Sequence, residues 1–432
     1  MATEYSPFGN PALSPVVRYG MLALTLGTLV FLIVTDTLDG LYVSNEVTQY
    51  GEIIGSVKIY EISIFNAVQK LWDRGGYGLA LLVLIFSVLW PYLKFTGLFM
   101  AWVLPVNILG AARREKMLMM LDIFGKWSLI DIWITMFIAV ALSTEINLRF
   151  NISSGTGFEI LWPFFGFIAV TCMAHIITHT MIHLHRSTIY APPSKESSSS
   201  VLDYHGKICC FDVMRSTVSQ VCIFLSIITT VVVLSFAIVT EVYYYQHTNP
   251  VNFSLQNWLY EKTESLVDIG ADFHDKAHLG KEDTFNALSF FYFLMGIAAP
   301  YASMLLLLIL FFVPLNESGK RFVYVAAEIA VAWGSFEVVL VALLGSVKQV
   351  EEISANLKTK DPCEDCTPII STSIESGVVL IIIAAILNVA VSYALLGLSH
   401  HAVFGDMVVG AAKSSKVQDE EAPEKDVDVE EN

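Results

Sequence analysis

Long apolar stretches alternate with shorter polar ones along most of the chain. Eight predominantly apolar runs stand near 18–40, 77–104, 128–146, 161–184, 217–240, 286–313, 323–346 and 375–398. Each is long enough to cross a ~30 Å hydrocarbon core as a helix. The third is the weakest, because Asp131 interrupts it. This pattern predicts an all-α polytopic membrane protein with eight transmembrane helices. The first run has seventeen residues before it and no small-residue cleavage site, so it reads as a retained span and not a removed signal peptide. Between the first two runs, residues 42–64 are rich in β-branched and aromatic residues separated by glycines, which predicts a small extracellular β element. The corresponding stretch "SLQNWLYEKTESLVDIGADF" (254–273) has a helical apolar pattern, with Ser254 as a plausible cap.

The chain also repeats itself. "PYLKFTGLFMAWVLP" (91–105) is answered by "PYASMLLLLILFFVP" (300–314), and "DIFGKWSLIDI" (122–132) by "EIAVAWGSFEV" (328–338). The second correspondence pairs Asp122 with Glu328, Trp127 with Trp333 and Asp131 with Glu337. An even number of spans per copy gives both copies the same topology, so the repeat predicts a parallel tandem duplication of four-helix, tetraspanin-like modules. The expected organisation is a first module over 1–189, a Pro/Ser-rich cytoplasmic linker over 190–216, a second module over 217–400 and an acidic, disordered tail over 401–432.

Composition agrees with a membrane protein: 15% of the 432 residues are charged, and mean hydropathy is +0.60. About 25% charged residues is usual in soluble domains. The formal charge of −16 is partly a tail effect, since eight acids against Lys425 follow from Asp419 onward. A modest Lys/Arg excess, including Arg113, Arg114, Lys116, Lys126 and Arg186, favours both termini in the cytoplasm. The sequons at Asn151 and Asn252 then lie outside as glycosylation candidates. Cys363 and Cys366, in CxxC spacing, would also lie outside. A local disulfide is the first reading there and half of a zinc site the second.

Charges inside apolar runs are the candidate chemistry, because an isolated one costs roughly 2.5–3.5 kcal/mol at the bilayer centre. Lys94 and Asp131 are expected to form an ion pair, with Ser128 one turn before Asp131. In the second copy Ser303 occupies the lysine position, so Glu337 is expected to lack a partner and to suit proton coupling. His175, His179 and His183 recur every four residues along the fourth span. That stripe admits metal binding, a proton relay or plain packing. His274 and His278 share the spacing in a loop with Asp272 and Asp275. No phosphate-binding loop or nucleophile motif appears, so neither enzymatic activity, a cofactor nor a nucleic-acid partner is expected.

The stretches "SIFNAVQKLWDRGGYGLALLVLIFSVLWPYLKFTGLFMAW" and "LDIFGKWSLIDIWITMFIAVALS" resemble the membrane domain of the paraquat-inducible protein A family. In that family a proline precedes a lysine in one span and a Trp-Ser-x-x-Asp motif opens the next. Here these fall on Pro91, Lys94, Trp127, Ser128 and Asp131. The resemblance is strongest over 60–146 and extends to 290–350. It implies two tandem four-span copies, a role in moving membrane lipids between membranes, a lipid-transfer partner protein with MCE domains and a possible proton-driven cycle. Bacterial members carry cytoplasmic zinc ribbons with paired CxxC motifs, which this chain lacks. The competing readings are a non-transporting tetraspan-like scaffold and a proton or metal-ion transporter.

Overall fold

The computed structural model describes residues 6–11, 13–49, 52–73, 77–142, 145–147, 152–189, 217–248, 259–275, 282–360 and 369–420. The first half opens with α1 (Pro15–Thr37), strands β1 (Leu41–Gln49) and β2 (Glu52–Ile62), and α2 (Ile64–Asp73). A second long helix follows as α3 (Tyr77–Val83), a π-helical turn at Leu84–Leu89 and α4 (Trp90–Val103). A third is broken into α5 (Ala111–Ile123), a 3-10 turn at Gly125–Leu129 and α6 (Ile130–Leu142). Strands β3 (Glu145–Asn147) and β4 (Ile152–Ile160) then lead into α7 (Trp162–Ile189).

The second half has nearly the same order. It runs α8 (Thr217–Val239), β5 (Glu241–Thr248), β6 (Leu259–Ser265), α9 (Leu266–Asp275) and α10 (Glu282–Tyr292). A π-helical turn at Phe293–Ala298, α11 (Ala299–Phe312), α12 (Glu317–Trp333), α13 (Phe336–Lys360), β7 (Ile369–Ile374) and α14 (Val378–Glu420) complete it. The π turns have a local cause. Pro91 and Pro300 lack the N–H that would bond to the carbonyl four residues back, and each ladder widens by one residue just before its proline. The two sheets also correspond, with strand orders β2-β1-β4-β3 and β6-β5-β7. β1 pairs antiparallel with both β2 and β4, and β5 with both β6 and β7.

Among the described residues, seven helical segments are long and apolar enough to cross a membrane: 15–37, 77–103, 162–188, 218–239, 285–312, 317–347 and 378–400. They make the chain an integral multi-pass membrane protein. The third expected span is absent from this set because its apolar helix, α6, has 13 residues. Apolar side chains exposed on the outer helices, such as Val30, Phe31 and Val34 on α1 and Leu225, Val232 and Phe236 on α8, suit contact with lipid chains. α1 packs on α7 and α8 on α14, while α6 and α13 meet along the seam between the halves. Trp133 of α6 is fully buried there, stacking on Phe291 and meeting Tyr292 of α10 edge-on.

Two expectations need correction. The 254–273 stretch is not one helix: Leu259–Ser265 is strand, held by pairing with β5, and the helix starts at Leu266. The cap is Ser265, whose backbone N–H and hydroxyl donate to Asp268 while its Oγ accepts from the Asp268 N–H. Ser254 lies outside the described residues. The tail is not irregular from 401, because α14 continues through a proline-free stretch to Glu420. The linker 190–216 and residues 421–432 lie outside the described residues.

Candidate functional site

The breaks in the two third helices place charges where unbroken helices would not. In the first half, Trp127 N–H bonds to the Phe124 carbonyl and the chain tightens into a 3-10 turn, which turns Lys126 toward the other half. In the second half α12 stops at Trp333, and α13 restarts at Phe336 after Gly334 and Ser335. The Lys126 ammonium is buried at this junction. It forms an ion pair with Glu337 and donates to the carbonyls of Gly334 at 3.1 Å and Val331 at 3.4 Å. A cation at the carbonyl end of a helix is favourably placed. The Tyr393 ring of α14 lies 5.7 Å from the same ammonium.

A second cross-link lies at the end of α7. Arg186 grips Glu328 of α12 with two parallel bonds, Nη1 to Oε2 at 2.7 Å and Nη2 to Oε1 at 3.0 Å. Its Nε donates to Glu115 of α5 at 2.8 Å. This is the planar, two-pronged geometry that arginine supplies and lysine cannot. The rings of Tyr324 and Phe404 flank the guanidinium, and His400 of α14 lies 3.3 Å from Glu115.

The third cluster belongs to the first half. Asp122, in the last turn of α5, faces two histidines of α7. Its Oδ1 is 3.3 Å from His175 Nδ1, and its Oδ2 is 3.5 Å from His179 Nδ1. One possible ligand atom from each of the three residues lies within 4.8 Å of the others. Lys94 of α4 reaches the same place. It is 2% exposed, its ammonium makes no hydrogen bond among the described residues, and Asp122 is the carboxylate whose field acts on it. Gly125 makes this approach possible, because a Cβ there would collide with both Lys94 Nζ and the His175 ring. The cavity beside Lys94 measures about 10 Å3 and is lined by Pro91, Gly125, Ser128, Thr171 and apolar neighbours. That is room for one water at most.

Two expected partnerships are therefore replaced. Lys94 and Asp131 form no ion pair among the described residues. The 3-10 turn leaves Ser128 beside Lys94 but carries Asp131 around to a different cavity, of about 30 Å3, lined by Thr35, Leu38, Thr135 and Phe164. Glu337 does not lack a partner, because Lys126 crosses the seam to it. Ser303, at the position equivalent to Lys94, is buried and donates to the Pro300 carbonyl at 2.7 Å. Of the histidine stripe, His175 and His179 face Asp122, whereas His183 is exposed. Cys363, Cys366, Asn151 and Asn252 lie outside the described residues.

The residues that sequence reasoning missed as site members are Glu115, Lys126, Arg186 and His400, together with Asp122 and Glu328, which entered only as matching acids of the repeat. Lys126 and Arg186 counted only as markers of orientation. In the folded chain three buried cations, Lys94, Lys126 and Arg186, gather with four carboxylates, Glu115, Asp122, Glu328 and Glu337, a grouping that no stretch of sequence displays. Outside the spanning segments, Lys262 bridges Asp272 at 2.6 Å and Glu264 at 2.7 Å. Partial burial opposes its charge, but the two carboxylates prevail and hold the ammonium above its usual range. A buried network of this kind can hold two bodies in register and store a proton, but the cavity beside Lys94 is too small to enclose a lipid.

Residues 20–183 match the family model described as paraquat-inducible protein A. The match spans α1 to most of α7 and contains Lys94, Asp122, Lys126, Asp131, His175 and His179. Neither a curated protein nor a solved structure matches the chain.

Proposed function

We propose, for a chain that belongs to the paraquat-inducible protein A family through residues 20–183, a role in membrane lipid handling in which buried charges couple the two halves. The observation that carries this reading is the pair of buried cross-links, Lys126 to Glu337 and Arg186 to Glu115 and Glu328, on a family-matched scaffold. Charges buried in a membrane protein are costly, and function is their usual reason. The cavity of about 10 Å3 beside Lys94 argues against lipid passing through this part of the core. Lipid would instead move along the outer faces or through a partner lipid-transfer protein, with this chain setting the timing.

The proposed architecture is eight spans in two tandem four-span modules, with both termini cytoplasmic. β1 and β4 share one sheet, so the chain must return across the bundle between α4 and β4. α5, the 3-10 turn and α6 are the path it takes. The second reading, a scaffold that moves nothing, draws support from the same tight packing around Lys94.

Purified full-length protein in vesicles tests the choice. We expect it to raise the rate of fluorescent phospholipid movement between or across vesicles severalfold over protein-free controls. The double variant Lys126→Met/Glu337→Gln, if it keeps its fold, is expected to lose that gain. No gain for the wild type, alone and with membrane proteins that co-purify with it, would favour the scaffold.

A further inference from the structure

Asp122, His175 and His179 bring three possible ligand atoms together at distances that are long for the hydrogen bonds they would otherwise make. A charge-assisted N–H···O bond is about 2.7–2.9 Å long. The two Asp122–histidine separations are 3.3 and 3.5 Å, whereas Arg186 reaches its carboxylates at 2.7 to 3.0 Å in the same region. For a tetrahedral ion with bonds of ~2.0–2.2 Å to nitrogen and oxygen, neighbouring ligand atoms stand about 3.3–3.6 Å apart. Each histidine–carboxylate separation is close to that edge, His175 to Oδ1 and His179 to Oδ2, and one ligand atom from each of the three residues lies within 4.8 Å of the others. The donor set of two imidazole nitrogens and one carboxylate is suited to a first-row divalent ion of borderline softness.

We propose that Asp122, His175 and His179 bind one divalent cation of the zinc class between α5 and α7, with a water completing the shell. The histidine stripe supplies the approach. The His179 side chain is 13% exposed and that of His175 is 1% exposed, so the site is reached from the His179 side, and the exposed His183 lies outside the ligand set. Lys126 is engaged by Glu337, and Arg186 by Glu115 and Glu328. Lys94 is the cation left facing the site, packed with His175 over Gly125. Its ammonium opposes an ion there. The site is therefore weaker than the same ligands would make elsewhere, which suits a cation that comes and goes.

Full-length protein in detergent, stripped with a chelator and desalted, is titrated with Zn2+, and then with Co2+ to read the coordination geometry by visible absorption. The wild type is expected to take up about one ion per chain, with a tetrahedral Co2+ spectrum. Asp122→Asn and His179→Gln should each weaken binding by more than the ~10–100-fold that loss of a supporting group costs. Lys94→Met should tighten it by at least about tenfold, because a like charge is removed from beside a divalent ion. His183→Gln should leave the stoichiometry unchanged. If Asp122→Asn does not fold, His179→Gln, at a partly exposed position, decides alone. Absence of a stoichiometric ion in the wild type, its persistence in His179→Gln, or weaker binding in Lys94→Met would each overturn the site.

Discussion

The two broken third helices carry acids at corresponding positions and give them opposite fates. In the second half, Glu328 and Glu337 are both held by cations, Arg186 and Lys126, that come from the first half. In the first half, Asp122 faces two histidines and the unbonded Lys94, and Asp131 has no ion pair among the described residues. The first half thus supplies the fixed charges of the seam and keeps the adjustable ones for itself. One region is clamped by paired charges, and the other holds an unbonded ammonium beside a carboxylate and two imidazoles. The family match falls on the second of these.

The strongest way to break this comparison is to remove the clamp. Arg186→Met leaves Glu115 and Glu328 buried without the guanidinium that serves both. Breaking a buried pair typically costs about 3–5 kcal/mol, and here Glu328 loses both of its bonds to the guanidinium while Glu115 keeps His400 at 3.3 Å, so a loss within that range is expected. Folded yield in detergent and the thermal midpoint should both drop sharply. Arg186→Lys should recover part of the loss, because it restores the charge but not the two-pronged grip. An Arg186→Met protein as stable as the wild type would show that the clamp does not hold the halves.

A double-mutant cycle on Lys126 and Glu337 sharpens the point. Each single neutral substitution strands one buried charge and should lower stability by about 3–5 kcal/mol. The combination Lys126→Met/Glu337→Gln should recover most of it, since both charges leave together. Some loss remains because the carbonyls of Val331 and Gly334 lose their donor. Losses that simply add would mean the two residues act separately.

How far the sequence revealed this division depends on the range of the interactions. Seven of the expected spans, the Pro-Tyr positions and the matching acids were legible because each is local: hydropathy over about twenty residues, or a proline in a fixed frame. The Lys94–Asp131 pairing failed on a local detail with a large effect. A continuous helix from Trp127 would aim Asp131 toward Lys94, but the 3-10 turn at Gly125–Leu129 rotates it away. Glu337 was misread for the opposite reason, since its partner lies in the other half of the chain. The strand at Leu259–Ser265 was missed because its apolar spacing also fits a helix, and pairing with β5 decided it.

The smallest expected effect tests the adjustable half at its tightest point. Lys94, His175 and the backbone of Gly125 share a space in which no Cβ fits. Gly125→Ala therefore displaces the Lys94 ammonium or the His175 ring, and overpacking of this kind typically costs about 1–3 kcal/mol. The ammonium is the end of a flexible chain with a cavity of about 10 Å3 beside it, so it should move first and hold the cost to the lower part of that range. The seam itself should be untouched, because Lys126 and Glu337 point to the other side of the turn. The prediction is a modest fall in thermal midpoint that is additive with the Lys126→Met/Glu337→Gln loss. In a Lys94→Met background the methyl group that Gly125→Ala adds should cost less, because the ammonium is gone. Strong coupling between Gly125→Ala and the seam variants would mean that the clamped and adjustable regions are one rigid unit, and the contrast between the halves would then be static.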